Sequence, residues 1–70
     1  MILENVNSSC LDCVGYDKDE AILGIRFNSG YVYAYYNVPE SEYDELMNAD
    51  SHGRYYNFFI KGKYNCERVA

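Results

Sequence analysis

Hydrophobic and polar positions alternate in three short runs between residues 11 and 36. Leu11-Asp-Cys-Val-Gly-Tyr16 is set off by a polar lead, Asn5 to Ser9, and by the charged cluster Asp17-Lys-Asp-Glu20, which reads as a turn. Ala21-Ile-Leu-Gly-Ile-Arg-Phe27 puts Leu23, Ile25 and Phe27 on one face and Ile22 and Arg26 on the other, with Gly24 between them. Asn28-Ser-Gly30 follows as a hairpin loop in which Gly30 supplies the positive φ of a bulged turn. Tyr31-Val-Tyr-Ala-Tyr-Tyr36 then returns in residues that suit a pleated, half-buried surface. This spacing predicts a three-stranded antiparallel meander.

Past Asn37-Val38 the period lengthens. Pro39 fits the first position of a helix, where a missing N–H costs nothing. Glu40, Glu42, Asp44 and Glu45 crowd the opening turns, favourable for the helix dipole, and Tyr43, Leu46 and Met47 form an i, i+3, i+4 core stripe ending near Ala49. A second helix is predicted over Ser51 to Lys61, with Ser51 as N-cap in competition with Asp50, Arg54 in the first turn and Gly62 as the stop. Tyr55, Phe58 and Phe59, overlapping with Tyr56 and Ile60, make a broad apolar surface, while Gly53, Asn57 and Lys61 fall on one line. The tight link implies that both helices cover the same face of the sheet. The expected class is α+β, a three-stranded meander followed by two helices packed on one face, in one domain spanning residues 1–70. Residues 1–8 read as a polar lead and 65–70 as a tail, with Tyr64 and Val69 enough for one packing contact.

Seventy residues allow one small core, which buries only about 60% of the surface the unfolded chain exposes. Nine tyrosines supply aromatic area that compensates for short length. The net charge of -5 argues against long nucleic acid as a partner, since affinity for phosphate backbones comes from lysine and arginine. Apart from Lys18 and Arg26, however, the basic residues lie in the C-terminal third, at Arg54, Lys61, Lys63 and Arg68. A local positive surface on an acidic chain leaves room for a small phosphorylated ligand. No apolar run reaches membrane-spanning length and the first residues lack signal-peptide character, so a cytoplasmic setting is expected.

Three cysteines do not make a disulfide framework. Cys10 and Cys13 have C-x-x-C spacing, and His52 with Cys66 would complete four zinc ligands, but positions 10 and 13 of a strand point to opposite faces. Ordinary buried or half-buried thiols are expected, with no metal and no cofactor. His52 is the only histidine and its neighbour Ser51 is poorly placed for nucleophilic chemistry, while the carboxylates suit a solvated surface and a helix start. Nothing resembles the G-x-x-x-x-G-K phosphate loop. A non-enzymatic module is expected.

Two surfaces carry the candidate functions. Ser51, Gly53, Arg54, Asn57 and Lys61 gather a cap, an open helix start, an amide and cations into a candidate anion site, with Tyr33 or Tyr35 available for stacking. The plainer reading is that a Ser-x-Gly helix start is only a cap. Tyr55, Phe58 and Phe59 form the second surface, suited to a second copy of the chain or to a host protein. Asn57 is costly on an aromatic helix, and its favoured role is structural, bonding an unpaired backbone group where the chain leaves the sheet at Val38-Pro39.

The series Gly15-Tyr16-Asp17, Leu23 to Phe27, Gly30-x-x-Tyr33-x-Tyr35-x-x-Val38-Pro39, Tyr43-x-x-Leu46, Ala49-x-Ser51-x-Gly53 and Asn57-x-x-Ile60-Lys61 resembles the KTSC domain, from about Ser9 to Tyr64. The resemblance implies three strands followed by helices and a bacterial or phage cytosolic setting. Its occurrence at the C-terminus of some lysyl-tRNA synthetases suggests an RNA-binding appendix as a further possibility, and stand-alone phage members suggest sequestration of a host defence signal. In the family pattern the two positions after the asparagine are often polar or basic. Phe58 and Phe59 depart from it and suggest an extra buried contact.

Overall fold

The computed structural model describes residues 1–70. The three alternating runs are antiparallel strands, but they form the middle of a longer sheet. The strands are β1 (Glu4–Asn5), β2 (Leu11–Asp17), β3 (Ile22–Phe27), β4 (Val32–Tyr35) and β5 (Cys66–Arg68), paired in that order. The count of three expected from the sequence is corrected to five, because part of the polar lead and part of the tail pair with the outer strands of the meander. Glu4 lies opposite Val14, and Val6 N–H donates to the Asp12 carbonyl at 3.0 Å. At the other edge Tyr35 lies opposite Cys66 and Tyr36 N–H donates to the Asn65 carbonyl at 2.8 Å. Both additions cover backbone groups that an open edge would leave unpaired.

Period-2 alternation sorts the sheet into two faces. Val14, Ile25 and Tyr33 lie in register on one face, as do Tyr16, Leu23 and Tyr35. A bulge between Leu11 and Cys13 shifts the register, so that Leu11 joins Val14 in the core. The loops follow local chemistry. Asp17 Oδ1 accepts from the N–H groups of Asp19 and Glu20 at 3.0 and 3.1 Å, and Gly30 takes φ +100 as the hairpin requires. The second face carries the row Gly15, Gly24 and Ala34, all buried. Side chains of the N-terminal segment lie over it: a Cβ at Gly15 would fall 2.8 Å from Leu3 Cδ2, and one at Gly24 2.6 Å from Met1 Sδ.

Both helices pack on the first face. α1 (Glu40–Asn48) buries Leu46, and Tyr43 stacks on Tyr16 with centroids 5.2 Å apart. Pro39 is the N-cap of α1, one residue before the predicted position, with an extended ψ of 149. Ser51 wins the next cap, its Oγ accepting from Arg54 N–H at 3.2 Å. The second helix is not the uniform α-helix expected. α2 (His52–Tyr55) has four α-helical residues and runs into a π-helical turn, Tyr56–Ile60, closed by the Lys61 N–H on the Tyr56 carbonyl at 2.8 Å. Ile60 enters the core with Leu11, Val14, Leu23, Ile25, Tyr35, Val38 and Leu46.

Candidate functional site

The π turn places Tyr56 and Ile60, four residues apart and so on one side, against the core. Phe58 and Phe59, expected to contribute to a core surface and an extra buried contact, are instead 75% and 53% exposed. Between this turn, β4 and the hairpin loop at Asn28 to Tyr31 lies a groove of about 680 Å³. Its floor is aromatic. Phe27 meets Tyr33 and Tyr56 edge-on at 5.8 and 5.3 Å, and Tyr56 meets Tyr35 edge-on at 5.9 Å. The Tyr35 and Tyr56 hydroxyls are 2.6 Å apart. One proton is spent inside that pair, which leaves the other to be donated.

Burial pushes both hydroxyls above the ordinary tyrosine range. The bond between them raises Tyr35 further and lowers Tyr56 in part, so the pair is neutral at physiological pH. Positive charge sits at the margins. Lys61 and Asn57 line the groove on the side of the π turn, and the guanidinium of Arg68 lies 4.6 Å over the ring of Tyr31. Register explains the second cation, because Arg68 of β5 is paired with Tyr33 of β4 and shares its face.

The predicted ligand residues are divided. Tyr33, Tyr35, Asn57 and Lys61 line the groove, whereas Ser51 and Arg54 line a separate hollow of about 260 Å³ with Tyr55, Phe58 and Phe59. Gly53 faces neither space. A Cβ there would lie 3.3 Å from Cys10 Cβ and 3.5 Å from Ser8 Oγ, so its role is close packing against the approach to β2. The Ser51 oxygen is already committed to its cap, and α2 is too short for its start to dominate an anion site.

Asn57 does not take the structural role favoured for it. It is exposed and makes no side-chain hydrogen bond, and the Val38 carbonyl accepts from the Tyr16 hydroxyl at 2.5 Å. Two substitutions separate these positions. Asn57→Ala should change stability by less than about 0.5 kcal/mol, as ordinary surface substitutions do. Tyr16→Phe should cost about 1–3 kcal/mol by leaving a carbonyl beside the buried Val38 without its partner, measured by urea denaturation.

The thiols are also separated. Buried Cys13 donates to Asn5 Oδ1 at 2.8 Å and receives Arg26 Nη2 at 3.4 Å, while Cys10 packs toward Gly53 and lines the groove with Cys66. His52 Nδ1 is 2.9 Å from the Leu46 carbonyl and links the two helices. Sequence reasoning missed Phe27 and Tyr56 on the floor, Tyr31 and the two thiols among the lining residues, and Arg68 over the Tyr31 ring at the margin. Tyr56 was hidden in a continuous aromatic run. The positions of Arg68 and Cys66 depend on a strand that carries no hydrophobic pattern.

Comparison with known proteins gives this geometry a family. The sequence pattern of the KTSC domain matches residues 7–64, most of the chain. This chain belongs to the KTSC domain family. The crystal structure of a KTSC domain protein from Yersinia pestis superposes with a TM-score of 0.94 at 37% identity, covering 99% of this chain and 97% of that one. A protein of Tsukamurella paurometabola is 40% identical over 62 residues, 89% of this chain and 92% of its own length, so the KTSC domain also occurs nearly alone. In the lysine–tRNA ligase of Nostoc punctiforme the match is 44% identical over 55 residues, but spans only 10% of that protein. There the KTSC domain is a small part of a larger chain. No helix of this KTSC domain is long and apolar enough to cross a membrane.

Proposed function

We propose that this KTSC domain is a non-enzymatic binding module whose groove takes a small, planar, negatively charged ligand of nucleotide type. The carrying observation is an aromatic floor flanked by Lys61 and Arg68 on a chain of net charge -5. On such a chain an anion is repelled except where cations gather, and aromatic rings beside them favour a flat partner. The ring system lies against Tyr33 and Tyr56, with the Tyr35–Tyr56 pair offering a neutral hydroxyl to its polar edge. The phosphate meets Lys61 and the Asn57 amide. Side chains rather than the helix start provide the anion contact, which departs from the Ser51-centred site suggested by the sequence. A module of this kind acts by holding its ligand, and sequestration of a nucleotide signal in a bacterial or phage setting is a use that needs no catalytic group.

Thermal denaturation against a panel of linear and cyclic nucleotides tests this reading. A true ligand at one hundred times its Kd should add about 2.7 kcal/mol of stability. Lys61→Ala should weaken that ligand about tenfold, the loss of one charge-assisted contact, without changing the melting temperature of the free protein. A short single-stranded RNA in the same panel separates an RNA appendix from a mononucleotide binder, since RNA affinity should fall steeply with salt. No shift from any nucleotide would refute the reading.

A further inference from the structure

The 260 Å³ hollow lies apart from the groove and is independent of the ligand reading. Phe58 lines it with 75% of its surface exposed, while Tyr55 and Phe59, tilted against each other with ring centroids 4.6 Å apart, form one wall. Asp50 and Arg54 also line the hollow, and neither takes part in a salt bridge within the chain. We propose that this face is a two-fold interface with a second copy of the chain, in which each Phe58 enters the other copy's hollow and each Asp50 meets the other copy's Arg54.

Two observations select a second copy as the occupant, and a third marks the face as an interface. First, the face carries its own knob and its own hollow, which is the self-complementarity that a two-fold axis requires. An apolar cavity of about 150 Å³ is enough to hold a benzene ring, so 260 Å³ accepts a phenyl side chain. Second, the same face presents one unpaired carboxylate and one unpaired guanidinium. Rotation about the axis turns this mixture into two opposite-charge contacts, whereas a partner of a single charge sign would satisfy one group and repel the other. Third, exposed aromatic rings clustered around a hollow are the residue type that carries binding energy at interface centres. The net charge of -5 opposes association, but screening over about 8 Å at physiological salt leaves the local pairs to decide. With like net charges opposing it, the dimer is concentration-dependent rather than obligate.

Sedimentation equilibrium over roughly 1 µM to 1 mM covers the range expected of a weak interface. Wild type should approach twice the 8.1 kDa monomer mass at the upper end. Phe58→Ser should raise the dissociation constant at least about tenfold while leaving the circular dichroism spectrum and melting of the dilute monomer unchanged. Asp50→Arg and Arg54→Asp should each weaken the dimer, and the two together should restore it, because the reversed pairs are again opposite in sign. A wild-type chain that stays monomeric throughout, or a dimer indifferent to Phe58→Ser, would overturn the proposal. Failure of the doubly reversed chain to recover would overturn the Asp50–Arg54 pairing.

Discussion

Ile60→Ala should lower stability by about 2–5 kcal/mol, the range for removing the bulk of a buried aliphatic side chain and leaving a cavity. Ile60 is completely buried and is the only buried residue of the whole second helical segment, so nothing else anchors the π turn to Leu11, Val14 and Leu46 in the same way. The loss is large for a chain of 70 residues, whose total stability is of the order of 3–10 kcal/mol. A fall of roughly 10–30 °C in melting temperature is expected. Phe59→Ala provides the control, because that ring is 53% exposed and removing it leaves the core intact. The groove should suffer with the fold. Tyr56 sits at the start of the same turn, and the Tyr35–Tyr56 hydroxyl bond depends on its position. An Ile60→Ala protein melting within a few degrees of wild type would show that the π turn is held by other contacts.

Gly15→Ala should be more harmful than Gly24→Ala, although the two glycines are paired in neighbouring strands. At Gly15 an added Cβ would stand 2.4 Å from the Ile2 carbonyl oxygen, which is backbone and can yield only if the N-terminal segment moves away from β2. At Gly24 the nearest atom is Met1 Sδ at 2.6 Å, the far end of a flexible side chain. The first substitution therefore displaces a strand and uncovers the edge of β2, at a cost of about 1–3 kcal/mol. The second mostly turns one thioether aside, and reduced freedom of the unfolded chain offsets part of that. Hydrogen exchange gives the sharper reading. The Val6 amide, bonded to the Asp12 carbonyl, should lose protection in Gly15→Ala and keep it in Gly24→Ala. Equal protection in both would mean that the N-terminal segment does not rely on the bare surface of Gly15.

These two results depend on features the sequence concealed to different degrees. The central strands were legible because Leu23, Ile25 and Phe27 alternate with polar or small residues, and because Asn28-Ser-Gly30 has one natural use. The edge strands were not. Glu4–Asn5 and Cys66–Arg68 are exposed throughout, so pairing of backbone groups holds them and no buried side chain marks them. Leu3 offered a signal in hindsight, since an aliphatic residue beside a polar lead finds its place over a glycine pair in the sheet. The π turn left no propensity trace within Tyr55-Tyr-Asn-Phe-Phe-Ile60. Ser51 and Arg54, grouped with Asn57 and Lys61 in the expected anion site, line a different hollow from them. Arg68 entered the candidate site through strand register alone.

The aromatic groove is the centre of the functional account, and chemical-shift mapping of the amides and tyrosine rings during nucleotide titration tests it most directly. The largest shifts should fall on Tyr33, Tyr35 and Tyr56, on Lys61 and on Arg68, with a nuclear Overhauser contact between the base and a groove tyrosine. Tyr56→Phe should remove the hydroxyl contact while keeping the ring, and weaken binding without unfolding the chain. Shifts confined to Ser51, Arg54 and Phe58, or saturating shifts with the groove tyrosines unmoved, would contradict the account.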